Sequence, residues 1–233
     1  RPVRFEAGLA PLVALAADAQ TRIVSFTVTE AGYYLDNDDQ LNADAADIAA
    51  DLQSGANDQA GNAKGATIYG ALTTILRRRL AQDSGPVTLL CCDNLRHNGV
   101  RSRQGLLQFI ERLNDAPLLD YVKTQTSSPD CMVDRITPRP PADLGARIEQ
   151  VTGYPDAAPV MGEAFIQWVI QDDFIAGRPD WASVGVEMVD DVAPYEEAKI
   201  RVLNASHAKG VEYVDSFAFI AFVDVVSHIQ QII

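Results

Sequence analysis

Residues 85–99 read GPVTLLCCDNLRHNG, and this stretch decides the fold class. Its run VTLLCC, residues 87–92, is apolar throughout apart from one threonine, which predicts a buried strand. The polar loop at residues 93–99 then leads into a segment with helical spacing of apolar residues at 100–113. A buried strand that passes through a polar loop into a helix is one unit of an α/β fold, so its neighbours should repeat the pattern.

The flanking segments do repeat it. A second buried strand is predicted at residues 22–28, RIVSFTV, because this run is rich in β-branched and aromatic side chains. Apolar residues at helical spacing predict helices at residues 7–19, 43–52, 67–81, 100–113 and 142–152. Further apolar segments follow at residues 131–138, 165–170 and 184–189. The order helix, strand, helix, strand, helix predicts a parallel sheet covered by helices, in an α/β fold.

Composition excludes several classes of protein. With 233 residues, 47% of them hydrophobic, and a net charge of -13, the chain has the balance of a globular protein. The acidic charge argues against nucleic acid as a partner, because nothing here would neutralise phosphates. The one dense basic run, residues 77–79, is predicted to be the solvated end of a helix. No apolar run approaches 18 residues, so no membrane span is expected.

The three cysteines predict structure rather than chemistry. Cys91 and Cys92 are adjacent and end a strand, and Cys131 makes the count odd, so no disulfide framework is expected. No Cys/His spacing suits a structural zinc, and we predict no metal site. This cysteine usage favours a reducing compartment, the cytoplasm.

Polar side chains follow both predicted strands. Ligands of parallel α/β sheets bind at the carboxyl ends of the strands. Thr27, Thr29 and Glu30 follow the first strand, where a dinucleotide would lie across such a sheet. Asp93 and Asn94 follow the second and could bind a cofactor or polarise a substrate oxygen, although Asp and Asn also favour turns.

The segment KIRVLNASH, residues 199–207, places polar groups on an otherwise apolar helix that we predict from about residue 190 to 209. At about 100° per residue, Glu196, Lys199, Asn204 and His207 fall within an arc of roughly 140°. A lysine pressed against apolar surface can serve as a general base, an asparagine can donate to a developing alkoxide, and a histidine can hold a substrate hydroxyl. A surface lysine, a capping asparagine and a core histidine are the structural alternative.

Taken together, these motifs resemble the polyol-specific long-chain dehydrogenases, the mannitol dehydrogenase family. The resemblance covers residues 20 to about 207, and its most specific element is K-x4-N-x2-H placed after CDNLRHNG and VDRITP. The other segments that carry it are RIVSFTVTEAGYYL, TIYGAL, APVMGEAFIQWVI and VGVEMVDDVAPYEEA. The resemblance implies a Rossmann-type dinucleotide-binding domain at residues 1–190 and the start of an α-helical substrate domain at residues 191–233.

The resemblance also implies roles for particular residues. It assigns the following to the reaction: Lys199 as general base, Asn94 and Asn204 as the pair that holds the reacting oxygen, His207 and Asp134 as substrate-binding residues, and Glu196 as the acid that relays the proton to water. The cofactor it implies is NAD, and we predict from their position at the carboxyl ends of the strands that four residues lie along it: Thr27, Thr29, Glu30 and Asp93. No metal is implied, because the lysine takes the place of the zinc that other alcohol dehydrogenases use. Asp134 could equally form a structural ion pair with Arg135.

Within the family, the segments are most similar to members that oxidise D-arabinitol to D-xylulose, with mannitol 2-dehydrogenases and uronate reductases less similar. The chain lacks a G-x-G-x-x-G motif, and GNAKGAT, residues 61–67, does not match a phosphate-binding loop. We therefore expect a fragment of a longer enzyme. The alternative is a non-catalytic remnant that acts as a binding module. Whether the protein is a monomer or a homo-oligomer stays open.

Overall fold

The computed structural model describes residues 9–55, 65–199 and 222–223. The helices of this part are α1 (Ala10–Ala16), α2 (Ala46–Gly55), α3 (Ile68–Gln82), α4 (Asn98–Arg112), α5 (Ala116–Gln125), α6 (Leu144–Thr152) and α7 (Ala193–Lys199). Its strands are β1 (Ile23–Phe26), β2 (Val87–Cys91), β3 (Thr126–Ser127), β4 (Cys131–Asp134), β5 (Gln167–Gln171), β6 (Glu187–Val189) and β7 (Phe222–Val223). Two short 3-10 helices, Glu30–Tyr33 and Trp181–Val184, follow β1 and precede β6.

The first sheet has the strand order β3-β2-β1-β7. β1 and β2 are parallel, with Ile23 opposite Thr88 and Phe26 opposite Cys91. β3 also runs parallel to β2, whereas β7 pairs with β1 in the antiparallel direction. All five residues of β2 are buried, as expected for a strand covered by helices on both faces. The predicted parallel arrangement of the two apolar runs is therefore confirmed.

The start of α3 is fixed by a buried carboxylate. The Thr67 hydroxyl donates to Asp51 Oδ2 at 2.7 Å and accepts from the Gly70 N–H at 3.2 Å. Asp51 also accepts from the backbone N–H of Thr67 at 2.8 Å. These bonds satisfy donors at the helix N-terminus that have no partner within the helix, and they join α2 to α3.

The prediction of a solvated basic helix end was wrong. Only Arg78 is exposed, whereas Arg77 and Arg79 are buried. Arg77 pairs with Asp115 at 2.8 Å. Arg79 donates to backbone carbonyl groups from two turns of the chain, those of Ala16, Asp18, Ser84, Gly85 and Pro86. Buried guanidinium groups are stable only when they are paired in this way, and the partners are too distant in sequence for a helical pattern to reveal them.

A second sheet has the order β4-β5-β6. β4 and β5 are antiparallel, and β5 and β6 are parallel. The sequence does not predict that these segments form a sheet of their own. Asn98, at the start of α4, joins this sheet to the first one. Its Nδ2 donates to the carbonyl groups of Asp93 at 2.8 Å and Cys131 at 2.7 Å, and its Oδ1 accepts from the Cys131 N–H at 2.9 Å.

The sequence did not lead us to predict α5, β3, β7 or the two 3-10 helices. Asp115 caps α5 by accepting from the Leu118 N–H at 3.2 Å, and a proline occupies its first turn. Both are recognised start signals, so this helix could have been predicted.

None of the helices in the described ranges has the length and hydrophobicity that a bilayer crossing requires.

Candidate active site

The carboxyl ends of β1 and β2 open into a cavity of about 290 Å³. β4 forms one wall, and α7 contributes Glu196 and Lys199. The remaining lining residues come from the loops after β1 and β2, from β4 and from α4: Glu30, Asp93, Asn94, Leu95, Arg96, Arg101, Cys131, Met132 and Val133. The cavity therefore lies where parallel α/β sheets bind their ligands, and it collects polar groups that are distant in sequence.

The Lys199 amine is held by polar partners. Its Nζ donates to Asn94 Oδ1 at 2.9 Å and to the Val133 carbonyl at 2.6 Å, and it lies 3.8 Å from Asp134 Oδ1. These polar partners replace the apolar surroundings that we expected for this lysine from the sequence. An asparagine that accepts through its oxygen can still donate through its NH₂ group. Lys199 and Asn94 can therefore face the same bound oxygen, one as a base and the other as a donor.

Asp134 pairs with Lys199 rather than with its neighbour Arg135. Successive side chains of a strand point to opposite faces, so Asp134 and Arg135 are directed apart at the end of β4. Asp134 is buried, whereas Arg135 is exposed and lies beside Gly162. The structural Asp134–Arg135 pair that the sequence left open is not formed.

Asp93 ties the ends of β1 and β2 together. Its Oδ2 accepts from the Val28 N–H at 2.7 Å and from the Tyr33 hydroxyl. The Tyr33 oxygen also lies 2.8 Å from the Cys91 sulfur. Burial raises the pKa of the Asp93 carboxyl, and burial together with the neighbouring Cys91 and Asp93 raises that of the Tyr33 phenol. This network fixes the backbone from which Asn94 projects.

Glu196 joins α7 to the start of α4. Its Oε1 accepts from the backbone N–H of His97 at 3.0 Å, and its Oε2 lies 4.0 Å from His97 Nδ1. Burial raises the pKa of this carboxyl, while the hydrogen bond and charge of His97 act in the opposite direction. Glu196 is therefore a buried acid one helical turn before Lys199, on the wall of the same cavity.

The cysteines behave as packing groups. Cys91 and Cys131 are buried and Cys92 is partly buried, and all three are free thiols. The Cys131 thiol donates to the Cys91 carbonyl at 3.0 Å, and burial raises the pKa of Cys91. Within the described residues, no cluster of three or more His, Cys, Asp or Glu side chains could hold a metal ion.

Residues 3–183 match the family model described as the mannitol dehydrogenase Rossmann domain. The chain belongs to the mannitol dehydrogenase family. Its predicted membership and its Rossmann-type α/β fold are thereby confirmed. The match ends at residue 183, ten residues before α7 begins.

The sequence of the chain is similar to those of two D-arabinitol 4-dehydrogenases. The chain is 50% identical to D-arabinitol 4-dehydrogenase of Klebsiella pneumoniae over 88% of its length and 43% of the relative's. It is 51% identical to D-arabinitol 4-dehydrogenase of Ralstonia nicotianae over 89% of its length and 43% of the relative's. The chain thus spans less than half of these relatives.

One solved structure of the family is especially informative. The ternary complex of Pseudomonas fluorescens mannitol 2-dehydrogenase with NAD and D-mannitol has a TM-score of 0.77 and 39% identity, and the match covers 87% of this chain and 40% of that one. The fold of this chain is therefore shared with a member of the mannitol dehydrogenase family that binds a dinucleotide and a sugar alcohol.

Not every site residue predicted from the sequence lines the cavity at the carboxyl ends of β1 and β2. Glu30, Asp93, Asn94, Glu196 and Lys199 line it. Thr27 and Thr29 follow β1 nearby but are not among the lining residues, and Thr29 is the N-cap residue of the 3-10 helix that begins at Glu30, without a capping hydrogen bond from its side chain. Asn204 and His207 lie outside the described residues.

Some residues of the cavity wall were not predicted from the sequence. The Val133 carbonyl is a backbone group, and no sequence pattern marks its contact with Lys199. Arg101 and Met132 were read only as helix and strand residues. The helical spacing of residues 100–113 could have suggested which way Arg101 faces, but not that β4 closes the opposite side.

Proposed function

We propose that the protein carrying this chain is an NAD-dependent polyol dehydrogenase that oxidises D-arabinitol to D-xylulose without a metal. The observation that supports it most is the contact of Lys199 Nζ with Asn94 Oδ1 at 2.9 Å, which brings together two polar groups 105 residues apart in the chain. The names of the two relatives at 50% and 51% identity support the choice of D-arabinitol.

In the proposed reaction, Lys199 takes the proton from the substrate hydroxyl as hydride leaves the same carbon. Asn94 donates a hydrogen bond through its NH₂ group to the oxygen, where negative charge develops. The contacts of Lys199 with Val133 and Asp134 hold the amine in place, which keeps the base aligned with its proton. We assign Asn204 as the second donor to this oxygen.

The remaining groups bind the substrate and handle its proton. We assign Asp134 to the polyol hydroxyls, since it is a buried acceptor beside Lys199. His207 is proposed as a second substrate-binding residue, from the spacing of K-x4-N-x2-H. Glu196 is proposed to pass the proton from Lys199 to water, because it is a buried acid on the same cavity wall.

The residues at the ends of β1 and β2 fit the nicotinamide end of NAD. Their loops leave a cavity of about 290 Å³ with both donors and acceptors on its wall. NAD supplies the hydride acceptor when bound. We assign Thr27, Thr29 and Glu30 to the edge of the sheet along which the cofactor lies, and Asp93 to the support of that edge through Val28.

The proposed domain boundary lies near residue 190. Its support is that the family match ends at residue 183 and that α7, with Glu196 and Lys199, begins at Ala193. The helical substrate domain would then begin with α7. A cytoplasmic location is proposed from the three free cysteines alone.

The test is NADH formation by the protein with D-arabinitol, D-mannitol, D-sorbitol and xylitol. We expect turnover with D-arabinitol that rises with pH, because a general base must be deprotonated to act. Lys199→Met should abolish it. Lys123→Met is the matched control, because Lys123 is exposed on α5, away from the cavity.

Three outcomes discriminate between the hypotheses. Faster turnover with D-mannitol would reassign the substrate within the family and keep the chemistry. Undiminished turnover in Lys199→Met would remove the lysine from its role as base. No oxidation of any polyol by folded wild-type protein would overturn the proposal and favour a binding module.

A further inference from the structure

His97 lies between two carboxylates at the edge of the cavity. Its Nδ1 is 3.6 Å from Asp130 Oδ2 and 4.0 Å from Glu196 Oε2. The three groups come from different elements: the residue before α4, the loop before β4, and α7. No sequence pattern indicated that Asp130 or Glu196 would lie next to His97.

The backbone holds this cluster in place. Asp130 Oδ1 accepts from the Val100 N–H at 3.0 Å, and Glu196 Oε1 accepts from the His97 N–H at 3.0 Å. Both carboxylates therefore bind the N-terminus of the 15-residue helix α4, where the helix dipole favours negative charge. His97 itself has a left-handed conformation with φ of 52°. That conformation presents its N–H to Glu196.

The exposure of the three side chains differs sharply. The imidazole of His97 is 57% exposed, whereas the side chains of Asp130 and Glu196 are 14% and 7% exposed. Glu196 thus has little contact with solvent of its own, whereas the imidazole 4.0 Å from its Oε2 is more than half exposed. A small rotation of the exposed ring or one bridging water closes a gap of this size.

We propose that His97, held by Asp130, is the positioning residue through which Glu196 exchanges its proton with solvent. This inference rests on the proposed function, in which Glu196 receives the proton that leaves Lys199. In the exchange, protonated Glu196 gives its proton to the neutral imidazole, which leaves a carboxylate and an imidazolium. The imidazolium then releases a proton to water or buffer and returns to the neutral form, so that no other reactant is required.

Four charged groups surround this exchange. Asp130 and Glu196 face the imidazole, Arg96 precedes it in the loop after β2, and Lys199 lies one turn after Glu196 on α7. The His97 hydrogen bond and charge lower the pKa of Glu196, Asp130 raises it, and Arg96 lowers it least. Substitutions of these residues should therefore move the Glu196 pKa in different directions.

The first measurement is the pKa of Glu196. It is obtained from the ¹³C chemical shift of the Glu196 carboxyl carbon during a pH titration. His97→Asn keeps the backbone N–H and tolerates the left-handed conformation, but it removes the imidazole. We expect it to raise the Glu196 pKa. Asp130→Asn should lower it, and Arg96→Gln, the matched control, should raise it by less than His97→Asn does.

The second measurement is the pH profile of polyol oxidation by the same variants in weak buffer. His97→Asn should shift the pH profile in the same direction as it shifts the Glu196 pKa. It should lower kcat by less than about 100-fold, because a loss of that size indicates removal of a direct general base. Added imidazole should restore the rate of His97→Asn and leave the wild type unchanged. A purely structural role would produce neither the shift nor the rescue.

The outcomes separate the two proposals. An unchanged Glu196 pKa in His97→Asn overturns the inference. A shifted pKa with an unchanged pH profile and no rescue by imidazole also overturns it, because the charge coupling then carries no proton. If the wild type oxidises no polyol, the proposed function fails and the relay with it, whereas the NMR titration still shows whether His97 and Glu196 are coupled.

Discussion

Arg79 and Lys199 are both enclosed cations that donate to backbone carbonyl groups, yet their surroundings differ in kind. Arg79 is 0% exposed and donates to five carbonyl groups on the two turns at residues 16–18 and 84–86. The Lys199 side chain is 13% exposed, with one carbonyl and one amide as hydrogen-bond acceptors, on the wall of a cavity. The guanidinium links two turns of the backbone, whereas the amine faces space that a ligand can enter.

The comparison teaches how a structural cation differs from a candidate base. A guanidinium keeps its charge and presents five donors in a fixed plane, so it suits a group of converging carbonyls. A lysine amine can lose its proton, and its partners here leave it beside the cavity. Substitutions should therefore affect stability at one position and chemistry at the other.

The largest effect should come from Lys199→Met. The proposed base is lost, so kcat with D-arabinitol should fall by about 100-fold to 10,000-fold. The free energy of unfolding should fall by only about 1–2 kcal/mol, because the amine contributes two hydrogen bonds at a cavity wall. Steady-state kinetics and urea unfolding of the same preparation measure both. A large loss of stability would place Lys199 beside Arg79 as a structural cation.

Arg79→Met should act in the opposite way. Five carbonyl groups lose a charged donor inside the protein, and because a hydrogen bond to a charged group contributes about 1.5–3 kcal/mol, we expect the free energy of unfolding to fall by at least about 3 kcal/mol. Urea unfolding checks this. The exposed Arg78→Met on the same helix is the control and should stay within about 0.5 kcal/mol of wild type. Equal effects at the two positions would contradict the structural role of Arg79.

Asp93→Asn sharpens the comparison with a group that is structural yet next to the site. Burial raises the pKa of Asp93 above its ordinary value of 3.8. The folded state therefore binds this proton more tightly than the unfolded state, and the resulting stabilisation is present below pH 3.8 and lost as the pH rises through the folded-state pKa. Asparagine does not titrate.

The measurement for Asp93 is urea unfolding of wild type and Asp93→Asn between pH 3 and pH 7. The free energy of unfolding of the wild type minus that of the variant should decrease as the pH rises through this window. A difference that stays constant with pH would show that Asp93 titrates alike in the folded and unfolded states.

The smallest effect should come from Thr67→Ala, far from both cations. It removes the hydroxyl that caps α3 and bonds Asp51, and we expect a loss of about 1 kcal/mol in the free energy of unfolding. Thr67→Ser retains the hydroxyl and should recover most of it. Thermal unfolding of the two variants side by side measures the difference, and equal losses would assign it to the methyl group.

The central elements could be predicted because their signals are local. The runs at β1 and β2 have no helical period, and the parallel sheet follows from their alternation with helices. The cap of α3 at Thr67 lies at the first residue of the predicted segment. The separate sheet β4-β5-β6 has no such local signal, because the pairing of its strands depends on contacts between residues 131–134 and 167–171, which are distant in sequence.

The site could be predicted only in part, for a similar reason. Lys199 and Asn94 came from a resemblance that carries their roles, and no spacing along 105 residues would have paired them. The contact of His97 with Asp130 and Glu196 is likewise tertiary, and the sequence analysis named neither pair. Arg79 shows the converse error, since three adjacent arginines suggest a surface until their distant acceptors are known.

The side chain of Asn98 has a mechanical consequence. It places an amide between the loop after β2 and the first residue of β4, and three hydrogen bonds, each contributing about 1 kcal/mol, hold that amide on both of its polar atoms. The amide of Asn98 both donates and accepts hydrogen bonds between the two sheets, as a peptide group does between the strands of one sheet. A hinge cannot operate between Asn94 and β4 without breaking these bonds together. Any opening of the cavity would therefore have to come from its other walls, such as α7 and the segment after β1, while the wall between Asn94 and β4 stays rigid.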